Sequence, residues 1–492
     1  MPAADAGYCS VVTLLTPDND VGPDPGTAPS AVRGTPRPRP GRRPRRAAPA
    51  RLRLRRAVVS GVVITLVGTG ITAGAWVAER GPFTPVPTTA IVPLASTSLA
   101  VAPDGTRTPL APGSGLVFLE GSRVAVTDPS AATAAEEATA QEMRDWLAAG
   151  TVPGAGTEFE DMATNALLDI YALTLDDGAV VAGWTPHWRY AWPRDNAFVA
   201  VALAATGHTD DALEVLEFLQ GVQSSDGSFQ ARYLPDASGP PDDRGVQTDA
   251  TGWSLWGASA VIASIEDPQR RADAARTLAP LIERSTAHIL SLTKDGTALP
   301  PASPDYWEKR TRKATLGTSA PLLMALHGAG DLMTLLDEPR RASAAASAAT
   351  TFDAVVKDAF GPTFPREKGG SAVDTAVAFL LPPFAATADD DVLTAWRAAP
   401  ATMARAGGGL APGAGWKQDG ISWTPTTSVF AMTAACSQES EAALGWLRWV
   451  DSHRTTTGSI PEKVLFDGSP AQLAPLAWSS ANVLLALSCL DG

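Results

Sequence analysis

Two glutamates stand in surroundings suited to moving protons. Glu308 lies in "PASPDYWEKRTRKATL" (residues 301–316), directly after Tyr306 and Trp307 and before Lys309, Arg310, Arg312 and Lys313. Aromatic neighbours that desolvate a carboxyl raise its pKa, whereas nearby cations lower it. The residue therefore reads either as a tuned acid or as an ordinary acid at a helix start. Glu462 lies in "TGSIPEKVLFDGSPAQLAPLAWSSAN" (residues 457–482), and reads as a second proton-transfer carboxyl or as half of a surface ion pair. "HWRYAWPRDNAFV" (187–199) collects Trp188, Tyr190, Trp192, Arg194 and Asp195, and "DDRGVQTDATGW" (242–253) holds Gln247 and Asp249. Flat aromatic faces stack on sugar rings, and Arg and Asp make directional bonds to hydroxyls. The plainer alternatives are an Arg194–Asp195 bridge that holds its loop, and Gln247 and Asp249 acting only as helix caps.

The elements that must position these residues are helices. Beyond residue 130 helical periodicity takes over: a lead-in helix at about 134–148 precedes apolar segments at about 158–173, 192–206, 209–222, 247–265, 267–292, 312–328, 331–359, 371–382, 389–406, 424–436, 439–453 and 478–489. Segments such as "TDDALEVLEFLQ" are amphipathic, with one side for water; their successors, such as "ATGWSLWGASAVIA", are apolar nearly all round and need burial. Six outer helices around six inner ones make an (α/α)6 barrel, an all-α catalytic domain over residues 151–492. The connections entering the inner helices are long, so one end of the barrel carries the functional loops. Ordered around the ring, the sixth and twelfth helices are opposed, which sets Glu308 and Glu462 across the mouth from each other. Two carboxyls so placed suit glycoside hydrolysis; inverting enzymes hold them roughly 6.5–9.5 Å apart, leaving room for a water.

"YAWPRDNAFVAVAL", "GVQTDATGWSLW", "DYWEKR" and "GSIPEKVLFDGSPAQLAPLAWSSANVLLAL" resemble, in order and spacing, the motifs of glycoside hydrolase family 15, which includes glucoamylases, glucodextranases and some bacterial trehalases. The resemblance spans roughly residues 158–490. It implies an exo-acting, inverting hydrolase of α-glucosidic bonds, with Glu308 as general acid, Glu462 as general base, and no metal or organic cofactor. It also implies that Arg194 and Asp195 bind the non-reducing-end sugar, with Trp192 and Trp307 lining its subsite. Arg310, Trp423 and Trp478 complete the candidate sugar contacts, beside Trp188, Tyr190, Gln247 and Asp249. The chain departs from the family at Trp188, where tyrosine is common, and at Lys309, where fungal members have a second acid. "REKGGSAVDTA" offers Arg366, Lys368 and Asp374 without a clean alignment to an arginine that fungal members bring from the same loop. The alternatives are a trehalase, a hydrolase of another envelope glycan, or a non-catalytic carbohydrate-binding protein. A cyclase or lyase on the same barrel would need an acid cluster at the mouth, whereas the run "ADDDV" (388–392) reads as an outer-helix cap.

Charge divides the chain. Residues 33–56 carry eleven arginines and no acid, while residues 81–492 carry 27 basic against 47 acidic side chains. A folded part that acidic is a poor nucleic-acid binder. The arginines abut the uncharged stretch 57–78, long enough to span a bilayer, and Arg on one flank orients it with the N-terminus inside. The expected organisation is a disordered basic N-terminus (1–56), a transmembrane helix (57–78), a linker with a small β segment (79–150) and an extracytoplasmic barrel; cleavage at "AGA" (73–75) would release a secreted protein. Strands are expected in "TAIVPLA", "SGLVFLEG" and "RVAVTD". The three cysteines and five histidines show no metal-binding spacing. Cys436 and Cys489 lie at the same depth of neighbouring inner helices, as a disulfide or as two buried thiols.

Overall fold

The computed structural model describes residues 91–492. The basic N-terminus and the proposed membrane segment at 57–78 lie outside these residues. Among the described residues, no helix is long and apolar enough to cross a membrane.

Four short strands open the described chain: β1 (Ser98–Val101), β2 (Arg107–Leu110), β3 (Val117–Phe118) and β4 (Ala125–Val126). They pair as two antiparallel hairpins. The described part of "TAIVPLA", residues 91–95, forms no strand, since Pro93 lacks an N–H; Leu94 makes only an isolated bridge to Gln472. The first hairpin rests on the helical body: the Ser98 and Ser459 hydroxyls are 2.7 Å apart, and Arg107 donates to the carbonyls of Ala172 and Thr174. The lead-in helix α1 (Ala134–Ala149) starts with a capping box between Thr133 and Glu136.

The helices that follow are α2 (Glu160–Leu173), α3 (Pro193–Ala205), α4 (Thr209–Val222), α5 (Asp249–Ser264), α6 (Pro268–Thr277), α7 (Ala279–Thr293), α8 (Leu316–Leu335), α9 (Pro339–Phe360), α10 (Asp390–Ala398), α11 (Pro400–Met403), α12 (Thr424–Cys436), α13 (Ser440–Ser452) and α14 (Ala477–Asp491), with a 3-10 turn at Thr375–Leu380. Packing closes a ring in the order α3, α5, α8, the 3-10 turn, α12, α14 and back to α3. Outside it, α2 packs on α14, α4 on α3, α7 on α5, α9 on α8, α10 on the 3-10 turn and α13 on α12. The alternation of apolar and amphipathic segments is thus realised as an inner and an outer layer. Inner α3 is buried from Pro193 to Ala204, whereas outer α4 buries one face through Ala212, Val215, Leu216, Phe218 and Leu219. Inner helices touch backbone to backbone: a Cβ on Gly252 of α5 would come within 2.5 Å of the Pro321 carbonyl in α8.

Three expected helices differ in form. The fourth inner position is only the six-residue turn Thr375–Leu380, started by Asp374 accepting from the Ala376 N–H and followed by Pro382 and Pro383. Prolines lack the donors that a longer helix needs. The segment 267–292 breaks between α6 and α7, where Pro280 occupies the first turn, and 389–406 breaks at Ala399 before Pro400. The acids of "ADDDV" cap α10, with Asp389 accepting from the N–H groups of Asp391 and Val392. Cys436 and Cys489 form a disulfide with Cα atoms 5.1 Å apart, tying α12 to α14 near their C-terminal ends.

Candidate active site

Glu308 is not a helix-start acid. Helix α8 begins at Leu316, and Thr315 caps it by accepting from the Thr318 N–H. Glu308 sits in the preceding loop with φ +51°, a left-handed backbone uncommon for a residue with a side chain and concentrated at functional sites. Its N–H donates to the Asp305 carbonyl at 2.6 Å, closing a tight turn, and its side chain is only 2% exposed. Oε1 accepts from the Trp192 indole N–H at 2.6 Å, and Oε2 meets the Arg244 guanidinium. The cation against this carboxylate is therefore Arg244, from the loop entering α5, and not the basic run that follows it. Lys309 lies over the Trp416 ring at 4.0 Å, Lys313 pairs with Glu367 at 3.0 Å, and Arg310 and Arg312 are exposed. The left-handed turn carries the carboxyl inward while the chain after it runs outward.

Glu462 is 1% exposed, which removes the surface ion-pair reading. It directly precedes the middle strand of a small sheet, β5 (Ser422–Trp423), β6 (Lys463–Val464) and β7 (Pro470–Ala471), in which Trp423 pairs with Lys463. Its N–H donates to the Leu473 carbonyl at 2.9 Å, and its carbonyl accepts from the Thr424 N–H at 3.1 Å. Both backbone groups are thus pinned at the threshold of α12.

Between the two glutamates runs a band of aromatic and charged side chains. Trp307 meets Trp416 edge-on at 4.7 Å, Trp416 meets Trp423 at 5.5 Å, and the Lys463 ammonium lies 4.3 Å from the Trp423 ring. On the other side Trp192 leads into α3, whose first turn carries Arg194 and Asp195, paired at 2.9 Å, with Arg194 4.2 Å from the Trp478 ring of α14. Arg366 bridges Asp305 at 2.7 Å and Asp374 at 3.0 Å and lies 3.8 Å from the Trp307 ring. Several buried polar atoms here have no protein partner: Nε and Nη1 of Arg194, Oδ2 of Asp305, Oε1 of Gln247, and the indole N–H groups of Trp307, Trp416 and Trp423. Such groups are costly unless hydrogen-bonded, and a polyhydroxylated ligand supplies both donors and acceptors. A cleft of 1210 Å³ lies elsewhere, beside β3 and the start of α2, and neither glutamate lines it.

No family model matches the chain. Among solved structures, a glycosidase determined as wild type and as single-residue variants, one of them with glucose, aligns with a TM-score of 0.58 at 20–21% identity, over 67% of this chain and 96% of its own. A bacterial glucoamylase complexed with acarbose aligns with a TM-score of 0.59 at 16% identity, over 72% of this chain and 59% of its own. The glucoamylase of Saccharomycopsis fibuligera gives 0.53 at 14% identity, over 64% of this chain and 89% of its own. The fold is that of glycosidases and glucoamylases. In sequence, an uncharacterized glycosyl hydrolase of Methanocaldococcus jannaschii is 31% identical over 93 residues, which span 18% of this chain and 15% of that protein.

Within this glucoamylase-type fold, Asp249 differs from a simple cap. It stands in the first turn of α5, fully buried, and accepts from the Trp253 indole N–H at 3.1 Å. Burial, then the charge of Asp305, push its pKa up to about 7, with Arg194 pulling it back. Asp374 is likewise pushed up to about 6, chiefly by burial. A carboxyl whose folded pKa exceeds its unfolded value of 3.8 binds its proton more tightly when folded, so its contribution to stability is lost as pH rises from about 4 to about 7. Asp249→Asn, neutral throughout, is expected to gain stability relative to wild type over that interval. Denaturant unfolding at pH 4.5 and 7.5 checks this; parallel pH dependences would contradict it.

Of the sequence-predicted contacts, Trp192, Arg194, Asp195, Gln247, Asp249, Trp307, Trp423 and Trp478 are buried about the mouth. Tyr190 and Trp188 are half-buried beside them; Tyr190 stands edge-on to Trp192 and carries the Arg232 guanidinium at 4.4 Å. Arg310 faces solvent instead of joining this group. Sequence reasoning missed Arg232, Arg244, Asp305 and Trp416, and did not resolve the part of Arg366. The one available signal was position, since each lies in a long connection entering an inner helix.

Proposed function

We propose that the protein is a glycoside hydrolase acting on α-glucosidic bonds from the non-reducing end with inversion. The observation that carries this reading is the pair of buried glutamates on loops entering opposed inner helices, joined by a band of tryptophans and unsatisfied polar groups. Glu308 is the general acid that protonates the leaving oxygen, and Glu462 is the general base that deprotonates the attacking water. A pair carried on loops entering opposed inner helices is the arrangement expected where a water fits between the carboxyls, and favours inversion over a covalent intermediate. Arg194, Asp195 and Asp249 hold the sugar hydroxyls, and Trp307, Trp423 and Trp478 supply apolar faces. The Cys436–Cys489 disulfide supports an oxidising compartment, hence an extracytoplasmic barrel, and the uncharged stretch 57–78 behind its arginines is the proposed anchor.

The test is NMR of the first-formed anomer with maltooligosaccharides, isomaltooligosaccharides and trehalose. Fresh β-glucose from one of them is expected and names the linkage; α-glucose, or no turnover of any of the three by folded protein, would overturn the reading.

A further inference from the structure

A proton donor at Glu308 is held between two N–H donors, Trp192 and Arg244, both of which favour the ionised carboxylate. The two donors are not equivalent. Trp192 is 1% exposed and fixed at the start of α3, whereas Arg244 keeps 20% of its side chain exposed. Arg244 sits on a connection with two left-handed glycines, Gly239 at φ +134° and Gly245 at φ +84°, and open space surrounds both. The oxygen that can be uncovered is therefore Oε2, and the leaving group enters on the Arg244 side.

Cations gather about Glu308 in a folded part where acids outnumber bases. Beside Arg244 the Arg232 guanidinium lies over the Tyr190 ring; on the Trp307 side Lys309 lies over Trp416, and Arg310 and Arg312, exposed in the same loop as Glu308, have no ion-pair partner among the described residues. The acids facing them are Asp242, shared between Arg232 and Arg244, exposed Asp243, and Glu367 on Lys313. Once Arg244 leaves Glu308 it keeps only Asp242, which Arg232 shares, so one positive charge is left for an anion on the ligand to meet.

Resting on the hydrolase reading above, we propose that the substrate carries a negative charge on its leaving-group side, and that this anion draws Arg244 off Glu308. Glu308 then takes a proton from solvent and passes it to the glycosidic oxygen as the bond to the anomeric carbon breaks. Water attacks that carbon from the opposite face while Glu462 accepts its proton. Glu308 ends ionised, as it began, with Arg244 free to return to it, and Glu462 gives its proton back to solvent. A neutral leaving group draws Arg244 off Glu308 less often, so its turnover is slower. Arg244 is thus a positioning residue that selects glycosides of anionic aglycones, carboxylated or phosphorylated.

The test uses the full chain and four α-glucosides: 4-carboxyphenyl, 4-(phosphonomethyl)phenyl, neutral 4-carbamoylphenyl, and α-glucosyl fluoride, whose leaving group departs without a proton. Wild type is expected to favour an anionic aglycone over the neutral one by about tenfold or more in kcat/KM, the scale of a charge-assisted hydrogen bond. The better anionic aglycone distinguishes a carboxylate from a phosphate source. Arg244→Gln is expected to collapse the preference, losing on the anionic substrates and gaining on the neutral one, while Arg244→Lys keeps most of it. Turnover of the fluoride without any anionic preference, or a preference unchanged in folded Arg244→Gln, would overturn the proposal and leave the hydrolase reading standing. No turnover of the fluoride would overturn both.

Discussion

Glu462→Gln is expected to stop hydrolysis of oligosaccharides and of α-glucosyl fluoride alike, lowering kcat by about 10²–10⁴-fold, the range that a positioned proton acceptor contributes. Both substrates need an activated water, so a good leaving group cannot compensate for a missing base. The substitution is nearly isosteric, and the backbone at this position is held by Leu473 and Thr424 irrespective of the side chain. Circular dichroism and the unfolding midpoint should match wild type. Wild-type rates on either substrate would remove Glu462 from the mechanism.

Glu308→Gln is expected to separate the two substrates. Oligosaccharide turnover should fall by about 10²–10⁴-fold, because the amide has no proton to donate to a departing alkoxide. The fluoride should keep most of its rate, since it leaves unaided. The glutamine carbonyl can still accept from Trp192, while its amide group meets the guanidinium of Arg244 unfavourably, so some loss of local order belongs to the variant as well. Comparing the two substrates in one protein cancels that loss. Equal losses on both would exclude Glu308 as the proton donor.

The alternation of all-apolar and amphipathic segments made the ring legible in the sequence, because burial on every side leaves a helix no place but the inner layer. The run "VDTAVAFLL" looks equally apolar, yet Asp374 and the two following prolines allow only a short turn. The glutamates were legible through their aromatic surroundings and the order of their motifs. Their partners were not. Arg244 reaches Glu308 across 64 residues, and Arg366 reaches Asp305 across 61. Local reading instead assigned the nearest cations, Lys309 to Lys313, and missed that the left-handed backbone at Glu308 separates them from its carboxyl. An exposed arginine and one that meets a buried acid look alike in one dimension.

The six-residue turn at the fourth inner position shows how an α-barrel differs from a β-barrel as a container. A β-barrel wall is stitched by hydrogen bonds between neighbours, so losing a stave would strand the donors and acceptors of two others. Here each helix satisfies its own backbone, and α8 and α12 pack against the shortened stave. The wall can therefore be abbreviated at one place without a tear spreading round it. The chain length so released lies in the connection before Thr375, where it brings Arg366 and Asp374 to the Trp307 face. An incomplete wall thus becomes furniture for the room that it encloses.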